Sequence, residues 1–509
     1  MDLTEENNNT PKRKRIPGKR VLINEYLPLF DKIEISEPII LQIGKIADEL
    51  NIKVFIVGGY VRDYFLKRIR TDFDFTVVGD AISFAEEVAK RLNSNALIYP
   101  RFRTAMVPYQ NIQLEFVGTR KEIYQTDSRN PIVSEGTLED DIKRRDFTVN
   151  AIAASINSNT FGRIYDLFNG RNDLQDKILR TPLNPTITFN DDPLRMIRAA
   201  RFASQLGFSV DPNCLSAIKE LTDRISIISQ ERITNELLKI LSSPVPSIGI
   251  KILQETKLLK HVFYEVDNLS GVDIVEIENK NFGHKDIFLH TLQVLDKVAE
   301  SSNNVWLRFA ALVHDVAKPR TKKYINGIGW TFYGHEDIGS KMMDSIFRRL
   351  KMPNEHLEYI KKLVKLHQRP MALVSEEISD SAIRRLAFQA GDALEDLFLL
   401  CRADITTNNP DKSSKFLNNY DLVAQKVIEV QEKDKLREFQ SPVRGDEIMK
   451  ICKLEPSKEV GIIKSFIEEA ILDGIIPNEY EAAKKYFMKN KTKWMKQIFN
   501  GNKKKSKEK

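Results

Sequence analysis

The feature that most constrains this chain is the stretch "GGYVRDYFLKRIRTDFDFTVVGD", Gly58 to Asp80. An apolar run, "VFIV", ends in two glycines. After a basic segment, a second apolar run carries Asp72 and Asp74 one residue apart. Side chains alternate between faces along a strand, so both carboxylates point one way and Phe73 and Phe75 the other. Carboxylates held side by side repel each other unless a positive group lies between them. A lysine, an arginine or a divalent metal would serve.

The surroundings predict a compact α/β module. Short apolar runs ("KVFIV", "FDFTVV", "NALIYP", "TAMVPY", "IQLEFV") alternate with turns from about residue 52 to 118, with "AISFAEEVAKRL" reading as a helix between two of them. "PIILQIGKIADEL" before them also has helical spacing. Residues 119–141 are polar and turn-rich and read as a mobile loop, and from about 143 onward the pattern is helical almost throughout. At 509 residues the chain is too long for one core. The expected division is a basic arm (1–30), an α/β head (31–165), a helical neck (166–270), a histidine-bearing helical domain (271–415) and a C-terminal helical region with a basic tail (416–509).

No apolar run reaches membrane-spanning length, and Cys214, Cys401 and Cys452 form no disulfide or zinc spacing, which reads as a cytoplasmic protein with no membrane partner. The net charge of +7 is unevenly placed: residues 1–20 carry +3 and residues 484–509 carry +10. Basic ends are a footprint for nucleic acid or a solubilising device.

The Gly-Gly turn lets backbone N–H groups approach a ligand, and Arg62 opens the following helix, where it can meet a phosphate. A phosphate cradle facing two metal-binding carboxylates meets the needs of nucleotidyl transfer, in which Mg²⁺ neutralises a triphosphate and activates an attacking hydroxyl. Glu115, in "QLEFV", is either a third acid or a surface residue. Further blocks follow in order: "KRRDFTVNAIA" (143–153), "DLFNGRNDLQDKILRTP" (166–182), "DDPLRMIRAARFASQLGF" (191–208) and "ISQERITNELLKIL" (228–241). Over residues 50–245 the chain closely resembles the class II tRNA nucleotidyltransferase and bacterial poly(A) polymerase family.

That resemblance implies a polymerase-beta-type nucleotidyltransferase head, a helical neck and an RNA 3′ end as substrate, with CTP and ATP as donors. It makes Asp72 and Asp74 the catalytic, Mg²⁺-binding pair. Gly59, Arg62 and Arg145 would contact the nucleotide. Asp192 and Arg195 would read its base, with Arg198 and Arg201 adding contacts on the same helix. An acceptor-only carboxylate beside a donor-only guanidinium suits the edges of cytosine and adenine and not those of guanine or uracil. Three-residue steps place Asp192 and Arg195 side by side on a helix. The chain departs from the family at Lys67-Arg68, where Gly-Arg is frequent, and at "RFRTA" (101–105), where the tRNA enzymes often show Phe-Gly-Thr. CCA addition to tRNA is the first reading; poly(A) synthesis, or addition of A alone or CC alone, is the alternative.

All seven histidines fall between His261 and His367. "LRFAALVHDVAKP" puts His314-Asp315 at the end of an apolar helix, with His284 and His290 upstream and His335, His367 and Asp404 downstream. This order resembles the HD phosphohydrolase superfamily. The resemblance implies His290, His314, Asp315 and Asp404 as core metal ligands, and His335 and His367 as the additional pair of dinuclear members. Imidazole and carboxylate suit Mn²⁺, Fe, Ni²⁺, Co²⁺ or Mg²⁺. His261, His284 and His356 read as structural or surface residues. A chain that is chiefly a metal-dependent phosphohydrolase acting on RNA ends is the reading from a different class.

Overall fold

The computed structural model describes residues 32–70, 73–125, 128–271, 273–277, 280–373, 379–407, 409–434 and 441–505. Asp72 and the basic arm expected over residues 1–30 lie outside the described residues. Two compact units emerge: among described residues, one comprises 32–121 and 133–174, and the other 122–132 and 175–505.

The first unit is built on a seven-stranded sheet. Its strands are β1 (Val54–Val57), β2 (Phe73–Val77), β3 (Leu97–Tyr99), β4 (Thr104–Tyr109) and β5 (Ile112–Gly118), and later in the chain β8 (Ala153–Ser155) and β9 (Ile164–Tyr165). The order is β3-β4-β5-β2-β1-β8-β9, with β2 and β5 parallel and the other neighbours antiparallel. Helices α1 (Pro38–Glu49), α2 (Gly59–Phe65) and α3 (Ala81–Arg91) lie where the spacing predicts helix. Asp80 fixes the start of α3, its carboxylate accepting from the N–H groups of Ile82 and Ser83. On one sheet face Phe75 stacks on Phe116 at 5.0 Å, with Phe84 of α3 edge-on to Phe116. On the other, Phe55 and Val57 pack with Ile142, Ala151 and Ala153.

Two sequence expectations change here. Residues expected to form a loop over 119–141 instead form β6 (Arg120–Gln125) and β7 (Ser128–Glu135), paired in a two-stranded sheet, followed by α4 (Leu138–Lys143). Strand formers such as Ile123, Tyr124, Ile132 and Val133 are diluted there by polar neighbours, which hides the alternation. Thr137 and Asp140 then close a reciprocal capping box on α4. Nor is the chain helical directly after 143: β8 and β9 complete the sheet, in strands too short to show a period. The unit runs on to Leu174 because α5 (Gly170–Asp176) is tied back, Thr148 donating to Asp173 at 2.6 Å.

The second unit is mainly helical. Its first part contains α6 (Pro185–Asp191), α7 (Leu194–Leu206), α8 (Pro212–Glu220), α9 (Gln230–Leu241) and α10 (Pro246–Glu255). Nearly all of α7 is buried, against α9 and α10. Gly249 permits the close approach of α10: a Cβ there would lie 2.5 Å from Ser204 Oγ and 3.0 Å from the Ala200 carbonyl. Helices Ile287–Ser301, Val305–Val313, His335–Leu350, Leu357–Leu366 and Leu394–Asp404 form the next part. Buried Arg308 joins the two parts, donating to the carbonyls of Leu241, Ser243, Ala299 and Ser302 at 2.8–3.0 Å. A third group of helices follows: Gly445–Cys452, Lys458–Leu472 and Tyr480–Lys505. Among the described residues, no helix is long and apolar enough to cross a membrane.

Candidate active sites

Strand register builds the first site. Val57, the last residue of β1, pairs with Asp74 on β2, and Asp74 pairs with Glu115 on β5. Gly58, at φ +70°, turns the chain out of β1 directly into α2. A side chain at Gly58 would press on the site: its Cβ would lie 3.3 Å from Arg145 Nη1 and 3.6 Å from Asp74 Oδ2. Only glycine tolerates both that φ and that proximity. The turn thus lies against a carboxylate, which suits a cation, and a guanidinium, which suits a phosphate.

Arg145 is held in place by a buried acid. Its Nη2 lies 3.2 Å from Asp141 Oδ2 and 3.3 Å from Thr76 Oγ1, and its Nη1 reaches the Asn150 carbonyl at 3.5 Å. Asp141 is fully buried on α4 and also accepts from Arg144 at 2.5 Å. Burial alone would raise its pKa, but the Arg144 and Arg145 guanidiniums outweigh it and hold the carboxyl below its ordinary value. Arg62, on α2 with Gly59, donates to the Asn150 side-chain oxygen at 2.9 Å and to both Asp63 oxygens. Asn150 thus touches both arginines. The structure brings Asp74, Gly58, Arg62 and Arg145 together, with Glu115 on the neighbouring strand.

In the second unit, Asp192 does not share the helix with Arg195. It precedes α7 with φ −135° and ψ 98°, and its carboxylate accepts from the Leu194 N–H at 3.2 Å. Pro193 is the reason, since a residue before proline is pushed out of helical conformation. Arg195 is buried and donates to the Thr188 carbonyl at 3.3 Å. Arg198 is half-buried, its guanidinium 5.3 Å from the Phe202 ring centroid. Arg201 is buried, 4.1 Å from the same ring and 3.2 Å from Glu236 of α9.

The second site, rich in histidine, gathers six residues from five helices and their ends. His290 Nε2 lies 2.9 Å from Asp404 and 3.6 Å from Asp315; His314 Nε2 lies 3.2 Å from Asp315 and 3.5 Å from Asp404. His335 and His367 approach the other Asp315 oxygen at 3.3 and 3.8 Å. Two metal-sized groupings result, His290–His314–Asp315 and Asp315–His335–His367, which share Asp315. The Nδ1 atoms of His314, His335 and His367 each lie 2.7–2.8 Å from a carbonyl three residues back, at Ala311, Phe332 and Val364. With Nδ1 donating its proton, Nε2 presents a lone pair inward.

Two buried atoms there, His314 Nε2 and Asp315 Oδ1, have no hydrogen-bond partner. Facing lone pairs require a proton or a cation between them, so the donor set fits divalent metal, which these six residues would hold. The electrostatics agree. Burial would lower the pKa of His314, yet Asp315 and Asp404 raise it to about 10; burial and neighbouring His314 push His367 down to about 4. The acids thus favour a positive charge at His314, while His367 stays neutral, the form that ligates metal.

Comparison with known proteins follows the same division. A model described as the poly A polymerase head domain matches residues 54–180, one described as a probable RNA and SrmB-binding site of polymerase A matches 207–269, and an HD domain model matches 287–409. The multifunctional CCA protein of Shewanella frigidimarina is 32% identical over 373 residues, covering 69% of this chain and 83% of that protein. The chain belongs to the multifunctional CCA protein family. That of Methylococcus capsulatus is 30% identical, covering 69% of this chain and 81% of that one. The A-adding tRNA nucleotidyltransferase of Geobacter sulfurreducens is 33% identical over 282 residues, but this chain spans only 29% of its length.

Among solved structures, a CCA-adding enzyme in its apo form II aligns with TM-score 0.58 at 20% identity over 89% of this chain and 96% of that one. A tRNA nucleotidyltransferase complexed with a primer tRNA and an incoming ATP analog aligns with TM-score 0.55 at 21% identity, over 76% and 99%. At that identity the likeness shows the fold: a polymerase-beta-type head followed by helices. As a CCA-family member the chain is a nucleotidyltransferase that carries an HD domain, and both parts imply divalent metal.

Several residues of these sites escaped the sequence reading. Asp141 and Asn150 organise the arginines, and "LEDDIKRRD" does carry the signal, since Asp141 precedes Arg144 and Arg145 by one helical turn. Arg232 lies 3.7 Å from Asp192. Lys318, three residues after Asp315, contacts its carboxylate at 2.5 Å. Thr406 Oγ1 lies 2.7 Å from His290 Nδ1, and Lys285 bonds to Thr406; nothing local in the sequence announces that pair.

Proposed function

We propose that this protein adds CMP, CMP and AMP to the 3′ end of tRNA, using CTP and ATP and releasing pyrophosphate. The observation that carries the reading is the convergence of Asp74 and Arg145 on the Gly58 turn, in a chain that covers more than four-fifths of relatives named multifunctional CCA protein. Asp72 and Asp74 hold Mg²⁺, which when bound neutralises the triphosphate and lowers the pKa of the terminal 3′-hydroxyl. One carboxylate of the pair takes the hydroxyl proton as its oxygen bonds to the α-phosphorus and the bond to pyrophosphate breaks. The Gly58-Gly59 turn, Arg62 and Arg145 bind the triphosphate, and Asn150 sets the two arginines. Asp192, Arg195 and Arg198 read the base, while Arg201 positions α7 through Glu236.

At the second site we propose a phosphohydrolase acting on RNA ends, including 2′,3′-cyclic phosphates that would block addition. His290, His314, Asp315 and Asp404, with His335 and His367, hold Mn²⁺, Ni²⁺, Co²⁺, Fe or Mg²⁺, which when bound activates water. Water adds at phosphorus, the bond to the ribose O3′ breaks and O3′ takes the proton, freeing the 3′-hydroxyl; a second water then breaks the remaining bond to O2′, which takes its proton as inorganic phosphate leaves. Lys318 steadies the charge of Asp315. Cysteines with no disulfide spacing support a cytoplasmic setting.

The experiment is to incubate the protein with tRNA transcripts lacking CCA, Mg²⁺, CTP and ATP, and to sequence the 3′ ends. Ends stopping at CCA are expected. The Geobacter relative favours a second reading, addition of A alone, which would leave transcripts lacking CC unextended and add a single A to those ending in CC. Long A tails would make the protein a poly(A) polymerase.

A further inference from the structure

Access to the HD centre is one-sided. Asp404 and His290 keep 24% and 11% of their side chains exposed, whereas His314, Asp315, His335 and His367 keep 4% or less. A phosphate ester therefore reaches the centre past His290 and Asp404. Two lysines adjoin the ligands. Lys318 is committed, its ammonium 2.5 Å from the Asp315 carboxylate. Lys285 is not: among the described residues it pairs with no carboxylate. Its ammonium donates to Thr406 Oγ1 and lies 3.5 Å from both the Thr406 carbonyl and His290 Nδ1. Its backbone is held on both sides. The Lys285 carbonyl accepts from His284 Nδ1 at 2.8 Å, and the next residue, Asp286, caps the helix Ile287–Ser301.

We propose that Lys285 is a substrate-binding residue of the HD centre, a cation that holds the phosphate of the RNA end during hydrolysis; it rests on the reading of that centre as a phosphohydrolase. A cation with only neutral partners, placed beside the two exposed ligands, is the group an incoming anion meets. Charge decides which hydrolysis needs it more. A 2′,3′-cyclic phosphate is a monoanion, whereas the 2′-phosphate left by the first hydrolysis carries about −1.5 to −2 near pH 7, like other phosphate monoesters. Attraction to a fixed cation scales with that charge. Lys285 thus retains the monoester for the second hydrolysis. It acts by charge alone, and in both steps the ribose oxygen takes its proton from water.

The test uses the full-length protein, loaded with Mn²⁺ and freed of excess metal, as wild type, Lys285→Gln and Lys285→Arg. Calorimetry reads the binding of inorganic phosphate, and atomic absorption reads metal content. Hydrolysis is followed on two RNAs, one ending in a 2′,3′-cyclic phosphate and one in a 2′-phosphate. In Lys285→Gln, phosphate should bind about tenfold more weakly, as loss of a charged hydrogen bond implies, at unchanged metal content. KM for the 2′-phosphate RNA should rise by a similar factor and KM for the cyclic one by less, so the 2′-phosphate accumulates as the cyclic RNA is consumed. Lys285→Arg should restore both. Unchanged phosphate affinity in Lys285→Gln would overturn the proposal. So would loss of metal in that variant, which would make Lys285 a support for His290 and Thr406 alone. An equal rise in KM for both RNAs would overturn the monoester preference. Should wild type hydrolyse neither RNA, the phosphohydrolase reading falls, and phosphate binding still decides whether Lys285 holds an anion.

Discussion

The two candidate centres are assembled in opposite ways. In the head, one turn and one strand register suffice: Gly58 follows the last residue of β1, Val57, and Val57 pairs with Asp74. The carboxylate remains half-exposed, against a turn where only glycine fits. The HD centre draws ligands separated by more than a hundred residues, and His314, Asp315, His335 and His367 are almost wholly buried. The first arrangement suits a site that must admit a triphosphate and an RNA end and release both. The second suits metals that stay, since buried facing lone pairs are costly without a cation. Exposure in one and burial in the other follow from what is exchanged and what is retained.

The strongest way to break that comparison is Asp74→Asn. Nucleotide addition should fall by at least about a thousandfold, near 4 kcal/mol of transition-state stabilisation, while phosphate release at the HD centre continues unchanged. A primer-extension assay beside a phosphate-release assay reads both. Asp315→Asn should do the reverse. Because Asp315 belongs to both metal groupings, metal content measured after dialysis should drop at both together, not at one.

A smaller effect probes the support of the head. Asp141→Asn leaves Arg144 and Arg145 without their buried counter-charge and should cost about 3 kcal/mol in denaturant unfolding. Since the folded-state pKa of Asp141 is depressed, its contribution is full above the unfolded value near pH ~4 and is lost as pH falls through the lower folded value. Below about pH 4 wild type should therefore lose stability more steeply than the variant. The smallest effect concerns the HD centre's outer support. Thr406→Val removes the partner of His290 Nδ1 and should weaken metal affinity by about tenfold, seen in a chelator titration, with the fold intact.

The same contrast explains what the sequence made legible. The strands β1, β2, β4 and β5 show as apolar runs because each has a buried face, and the Gly-Gly and Asp-x-Asp motifs fall at their ends. The short strands β8 and β9 offer no period to read, and polar residues hide the alternation of β6 and β7. Counting three residues puts Asp192 on a helix with Arg195, although Pro193 signals the extended conformation found. Arg201 illustrates a limit of motif reasoning: its pairing with Glu236, 35 residues on, is a tertiary fact. At the HD centre the ligands were legible from their order, whereas Lys285 and Thr406 are neighbours only through the fold.

The most direct test of two separate centres uses a single RNA: a tRNA transcript lacking CCA and ending in a 2′,3′-cyclic phosphate, given CTP, ATP and divalent metal. Wild type should remove the block and add CCA. Asp315→Asn should fail on this RNA but extend it once the phosphate has been removed enzymatically, and Asp74→Asn should clear the end without extending it. Extension of the blocked transcript by Asp315→Asn at the wild-type rate would contradict the account.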